Sequence, residues 1–561
     1  MPSGAQALLR TLVDSGVTVC FTNPGTSEMH FVAALDSVPE MRAVLALFEG
    51  VATGAADGYA RMTGRPAATL LHLGPGLGNG LANLHNARRA RVPVVNIIGD
   101  HATYHVQYDA QLQSDIETVA RNVSPGWVRT STSAAALPSD LAEAVASASG
   151  PPGQVATLIV PADLSWADGV QPAVPVPPAP PRLAGEEAIE AARSALLGTR
   201  SALLLGGSAL HGPALRAAGR IAAATGATLF AEVFPRRIER GVGVPPVERI
   251  AYFAELASVQ LAGLKHLVLV DTPAPVSFFA YPGKKSYLVP EGCVVHQLTT
   301  DGEDVAGTLE ALADAFVTRG SATPRTARTT PTAQQVSTAP ALPPPGRLTA
   351  ETACQTIAAL LPAAAIVSDE ANTSGVSFAR ASAAAPPHDV LTLTGGAIGQ
   401  GLPVAVGAAI ACPDRPVVAL EADGSALYTI QSLWTMARER LDVTVVIFNN
   451  RSYGILDVEL QRVGAQASGQ KAQAQLDLSD PPVDFVAVSR GLGVPAVLAS
   501  TTQELADALR NAFAEPGPHL VEVAVPPVFS GRRLKALPMA LGALESLPRP
   551  LARALKRRIA P

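Results

Sequence analysis

The stretch EADGSALYTIQSLWTMARERLDVTVVIFNNRSYGIL, residues 421–456, sets an acidic residue, Asp423, at the end of one apolar run and Asn449-Asn450 at the end of the next. Asp423 and Asn450 lie 27 positions apart (450 − 423). Read as two parallel strands joined by a helix, they fall at neighbouring strand carboxyl ends, where ligands bind in open α/β sheets. A carboxylate and an amide oxygen are hard donors suited to Mg²⁺ beside a phosphate. Gly424 and Ser425 open the intervening helix, whose N-terminus and hydroxyl suit phosphate oxygens. The same residues read equally as a helix cap and a chain turn.

Such strand ends need parallel sheets to hold them. Apolar runs of strand length recur at 66–73, 92–100, 201–207, 265–271, 364–370, 415–423 and 441–450. They are apolar on both faces, as parallel strands covered by helices must be. Two Pro-rich stretches, 171–185 and 318–347, read as extended linkers. They divide the chain into 1–170, 186–317 and 348–525, with a tail at 526–561 that ends in Arg549, Arg553, Lys556, Arg557 and Arg558. The predicted fold class is α/β, three doubly wound parallel-sheet domains. Apolar residues make up 48% of the chain, enough for three buried cores.

Composition also excludes function classes. A net charge of −5 with no basic run in the body argues against nucleic acid as a partner. No apolar run is long enough for a membrane span. Residues 1–17 place Ala5, Leu8, Leu9, Leu12 and Val13 at helical spacing, an amphipathic helix rather than a signal peptide. The four cysteines are far apart and form no CxxC, so a reducing, cytoplasmic location is expected.

The frame DGS…NN resembles the cofactor motif of thiamine-diphosphate-dependent 2-oxo acid enzymes, with Ala422 in place of the first glycine of GDG. The resemblance implies Mg²⁺ held by Asp423, the Asn450 side chain and the Ser452 carbonyl, with Gly424, Ser425 and Tyr453 around the diphosphate. It extends over nearly the whole chain. The segment 391–409, with TGGAIGQGLP, is similar to the family's cofactor cradle. There Ile398 would bend the cofactor and the Gly396 carbonyl would receive its amino group. SDEANTS, 368–374, offers Asn372 and Thr373 as further diphosphate contacts. LFEGVATGAADGYARMTGRP, 47–66, is similar to the cofactor-activating helix. Glu49 would there share a proton with the aminopyrimidine, as a carboxyl in an apolar site can.

FTNPGTSE, 21–28, and the strand and glycine loop at 70–100 resemble benzoylformate decarboxylase. This implies a substrate carboxylate on Thr26 and a proton relay at His72. The loop 99–115 separates the subfamilies. Acetolactate synthases typically carry Phe-Gln-Glu there, whereas this chain has Gln111-Leu112-Gln113. His105, Tyr108, Leu112, Ile455 and Leu456 are the predicted substrate-pocket residues. The segment AEVFPRRIERG, 231–241, lacks the matching synthase residues, so FAD is not expected and the middle domain reads as structural.

The function implied is decarboxylation of a 2-oxo acid with thiamine diphosphate and Mg²⁺. The product is either a released aldehyde, as in benzoylformate decarboxylase, or the acyl fragment joined to a second carbonyl, as in acetolactate synthase. A non-catalytic regulatory homologue would lack Glu49 or the metal residues. The family's sites lie between the first domain of one subunit and the third of another, which implies a homodimer or homotetramer.

Overall fold

The computed structural model describes residues 1–317, 339–463, 469–528, 531–544 and 551–552. The predicted linker 318–347 lies outside them up to residue 338, and so do all five basic residues at the end of the tail.

All seven apolar runs form strands, and they assemble into three sheets. The first is parallel, in the order Arg42–Leu45, Val19–Asn23, Ala67–His72, Val94–Asp100, Val155–Pro161, Val128–Thr130. The second is parallel, in the order Glu248–Arg249, Thr228–Ala231, Ser201–Leu205, His266–Val270, Val294–Gln297. The third runs Ala496–Ala499, His519–Ala524, Val443–Asn449, Val417–Ala422, Ile366–Glu370, His388–Thr392, Ile238–Arg240. Its last strand is antiparallel and comes from the middle of the chain, so the middle segment completes the third sheet's edge. Asp389 there also takes ion pairs from Arg237 (2.7 Å) and Arg415 (2.7 Å).

The N-terminal helix Gly4–Asp14 is closed by a capping box between Ser3 and Gln6, and buries Ala5, Leu8, Leu9 and Leu12 against the first sheet. Residues 171–185 are mostly exposed extended chain; the Arg182 carbonyl accepts from the Asp304 N–H at 2.7 Å. Among the described residues no helix is long and apolar enough to cross a membrane.

Two buried helices join the first and third sheets. Helix Glu49–Thr63 packs on helix Gly401–Ala411 so closely that a Cβ on Gly407 would lie 1.9 Å from the Ala55 carbonyl oxygen. Only glycine permits this approach. Arg61 and Asp57 form a fully buried ion pair (2.7 Å) on the first of these helices. The guanidinium also donates to the Thr392 carbonyl (2.7 Å) and to Thr394 Oγ1 (2.9 Å), and Asp57 accepts from Gln400 Nε2 (2.7 Å). The helix bearing Glu49 is thereby fastened to the loop that precedes the second helix.

At the strand ends of the middle sheet, Glu232 accepts the Gly207 N–H (2.9 Å), and Asp271 accepts the N–H (2.8 Å) and hydroxyl (2.9 Å) of Ser208. Burial pushes Glu232 up to about 7. A carboxyl raised in the folded state contributes stability below its unfolded range near 4.5, and that contribution is lost as pH rises through 7. Glu232→Gln is expected to flatten stability between pH 5 and 8. The loss in wild type is on the order of 1–2 kcal/mol after allowance for partial exposure, readable in urea melts at the two pH values.

Candidate cofactor and active site

Asp423 ends strand Val417–Ala422 and begins a one-turn helix, Asp423–Ala426. Its carboxylate is 3% exposed and accepts two backbone N–H groups, from Arg451 (2.6 Å) and Gly424 (2.9 Å). Among the described residues no basic side chain pairs with it. Burial raises it to about 6. A buried carboxylate without a cation is costly, and a metal ion is what such a group fits.

The neighbouring strand Val443–Asn449 delivers Asn450 beside it: the Asn450 amide donates to Ser374 Oγ (3.3 Å) and its oxygen accepts the Ser452 N–H (2.9 Å). Thr373 Oγ1 would sit 3.3 Å from a Cβ on Gly454, which brings 372–374 to the same strand ends. Asn372 is exposed there, in a left-handed conformation (φ 48°). The Tyr453 ring covers Gly424, where a Cβ would lie 2.4 Å from Cε1. The structure thus brings together Asp423, Gly424, Asn450, Ser452, Tyr453, Asn372 and Thr373. Ser425 differs from expectation: its hydroxyl turns inward to Glu421 and the Ala422 carbonyl (3.2 Å), leaving only the helix N-terminus for a phosphate.

Behind this edge lie two carboxyls that sequence reading missed. Glu370 accepts the N–H groups of Gly399 (2.8 Å) and Gly401 (2.5 Å). Glu421 approaches it across Gly401, where a Cβ would meet Glu421 Oε2 at 2.6 Å and Glu370 Oε2 at 3.0 Å. Burial pushes Glu370 up to about 7, and burial plus the Glu370 charge pushes Glu421 well above the carboxylate range. Glu370 fixes the loop carrying Ile398, which is half-buried. The same loop is gripped by the first domain: Asn83 donates to the Gly399 carbonyl (3.1 Å), Asn86 to that of Ala397 (2.8 Å), and His85 meets that of Gly395 (3.1 Å). Gly396 has φ +76°, and its carbonyl accepts no hydrogen bond among the described residues.

Glu49 is the first residue of its helix and 8% exposed, with Asn79 Nδ2 donating to it at 3.0 Å. His72 ends strand Ala67–His72, and its Nδ1 lies 2.8 Å from Glu28 Oε2 and 3.3 Å from Ser27 Oγ. Ser27 in turn donates to Glu28 Oε1 (2.6 Å), while Thr26 stands exposed at the head of the turn. With Nδ1–H donated to Glu28, Nε2 is left as the acceptor. Ser27 and Glu28 were legible only as neighbours of Thr26. His105 follows the next strand, its ring 5.4 Å from that of His101 and 5.8 Å from that of Tyr108. Tyr108, Leu112 and Leu456 are 68%, 39% and 44% exposed, while Ile455 is half-buried. In the proton-relay role that the sequence resemblance implies, His72→Ala is expected to lower kcat for a 2-oxo acid about 10²–10⁴-fold, the range of a lost general acid–base. Glu28→Gln should lower it by a smaller factor, and steady-state kinetics would read both.

Comparison with known proteins gives two family matches. Residues 2–121 match the thiamine pyrophosphate enzyme N-terminal TPP binding domain, and residues 372–523 match the C-terminal TPP binding domain. The chain is 58% identical over 525 residues to a Mycobacterium tuberculosis protein named "Putative acetolactate synthase large subunit IlvX", covering 93% of this chain and 99% of that one. It is 32% identical to benzoylformate decarboxylase of Pseudomonas aeruginosa, covering 91% and 96%. A solved 4-hydroxybenzoylformate decarboxylase from Rhodococcus jostii superposes with a TM-score of 0.81 at 25% identity, covering 93% and 99%.

Proposed function

Because the chain belongs to the thiamine pyrophosphate (thiamine diphosphate) enzyme family, we propose that it decarboxylates a 2-oxo acid with an apolar side group and releases the aldehyde. The observation that carries this reading is the buried Asp423 carboxylate, with no basic side chain paired to it among the described residues, beside Asn450. When bound, the cofactor supplies an electron sink for the loss of CO₂. The chain does the rest. Asp423, Asn450 and the Ser452 carbonyl would hold Mg²⁺, with the diphosphate near Asn372, Thr373, Gly424, Tyr453 and the Ser425 backbone N–H, the Ser425 hydroxyl being taken by Glu421. The free Gly396 carbonyl would take the amino group, and Ile398 would set the cofactor's shape. Glu49, oriented by Asn79, holds a proton at the aminopyrimidine. His72 moves a proton at the substrate's carbonyl-derived oxygen through Nε2, and Thr26 and Ser27 hold the substrate carboxylate.

In this reading 1–170 is the pyrimidine-binding domain, 186–317 the central domain and 348–525 the diphosphate-binding domain. A second copy completes each site. The exposed apolar side chains of Leu427, Tyr428, Leu456 and Tyr108 support that assembly. The middle sheet would hold no FAD, because a diphosphate would have to displace the Asp271 and Glu232 carboxylates from the Gly207 and Ser208 N–H groups. The four cysteines are free thiols, as a cytoplasmic compartment keeps them.

A second reading, carboligation, is favoured by the synthase name of the 58% identical relative. Purified protein with thiamine diphosphate and Mg²⁺ should be offered pyruvate, 2-oxobutanoate, branched and aryl 2-oxo acids, with CO₂, aldehyde and acyloin followed. An aldehyde from an aryl or branched acid supports the first reading, and acetolactate from pyruvate the second. Failure to bind the cofactor or turn over any acid overturns both.

A further inference from the structure

Between strands His266–Val270 and Val294–Gln297 the middle segment leaves its own sheet and reaches the loop 394–400 of the third. Phe278 packs directly on Gly396: a Cβ there would lie 2.6 Å from the ring's Cζ. Phe278 is the hub of an aromatic cluster, with ring centroids 5.8 Å from Phe234, 5.3 Å from Tyr252 and 4.9 Å from Phe279.

The cluster is anchored from behind. The hydroxyls of Tyr252 (3.3 Å) and Tyr281 (2.7 Å) donate to Glu459. Glu459 lies on helix Gly454–Arg462, which begins immediately after the Asn450–Tyr453 turn. Arg462 lies 3.9 Å over the Tyr281 ring and pairs with Glu255 at 2.9 Å. Yet Phe278 and Phe279 keep 41% and 53% of their surface exposed, although anchored neighbours hold the cluster in place. Fixed aromatic surface beside a cofactor loop is what lines a pocket for an apolar group.

We propose that Phe278, seconded by Phe279, is a specificity-determining residue. Its ring is the wall against which the substrate's side group packs, which selects aryl over short alkyl 2-oxo acids. This rests on the decarboxylase reading above.

The test uses the full-length protein with thiamine diphosphate and Mg²⁺. Phe278→Ala and Phe278→Leu are compared with wild type in three measurements: kcat/KM for benzoylformate against 2-oxobutanoate, calorimetric affinity for mandelate, an aryl acid without a reactive carbonyl, and calorimetric affinity for thiamine diphosphate. Phe278→Ala should lower the aryl-to-alkyl ratio and weaken mandelate by about tenfold or more. Cofactor affinity should stay within about twofold, and Phe278→Leu, which keeps bulk at Gly396, should lie between. The proposal is overturned if the ratio and mandelate affinity are unchanged. It is equally overturned if both substrates fall together with cofactor affinity, or if wild type turns over only alkyl acids. The decarboxylase reading survives the first two of these outcomes, and the third where the product is an aldehyde, whereas a wild type that binds no cofactor overturns both.

Discussion

Replacing Glu49 with glutamine is expected to lower turnover of a 2-oxo acid by about 10²–10⁴-fold while thiamine diphosphate and Mg²⁺ still bind. Glutamine keeps the shape, and its oxygen can accept from Asn79 as Oε2 does at 3.0 Å. It cannot hold the proton that the proposed role of Glu49 requires. Glu49 is 8% exposed and opens a buried helix, so no solvent group stands ready to replace it. Cofactor affinity by calorimetry, read beside exchange of the cofactor's C2 hydrogen in D₂O, separates activation from binding. Turnover within tenfold of wild type would remove Glu49 from the chemistry.

Asp423→Asn should act in the opposite sense on affinity and on the stability of the cofactor-free protein. Saturating thiamine diphosphate with Mg²⁺, at about 100 times its dissociation constant, should stabilise wild type by about 2.7 kcal/mol, and the variant should lose that gain entirely. Without the cation, the variant should be at least as stable as wild type. The carboxylate it removes is 3% exposed, has no basic side chain beside it among the described residues, and is already pushed up to about 6 by burial. EDTA should bring holo wild type down to its apo transition. A variant that keeps the Mg²⁺-dependent shift in a thermal melt would show that Asp423 is not a ligand.

What the sequence made legible was what lies close along the chain or repeats in an apolar pattern. Asp423 and Asn450 end consecutive strands, so their spacing alone brings them together. The seven strand runs are apolar on both faces and could hardly lie elsewhere than inside parallel sheets. Contacts made across the fold were not legible. Glu28 reaches His72 over 44 residues, and Glu370 meets Glu421 only because their strands pair side by side. Ser425 looked like a phosphate donor because nothing local reveals that Glu421 claims its hydroxyl. Phe278 lies on an excursion of the middle segment, and no periodicity marks where such a loop lands.

The antiparallel edge strand Ile238–Arg240 also has a consequence in time. During synthesis it is made 148 residues (388 − 240) before its partner His388–Thr392 begins. At about 5–20 residues per second, that is roughly 7–30 s in which this edge strand has nothing to pair with. The first two sheets can assemble in this interval, but the edge cannot be covered until the third arrives. A chain broken off before residue 388 would present a vacant strand to other chains, the template from which aggregates grow.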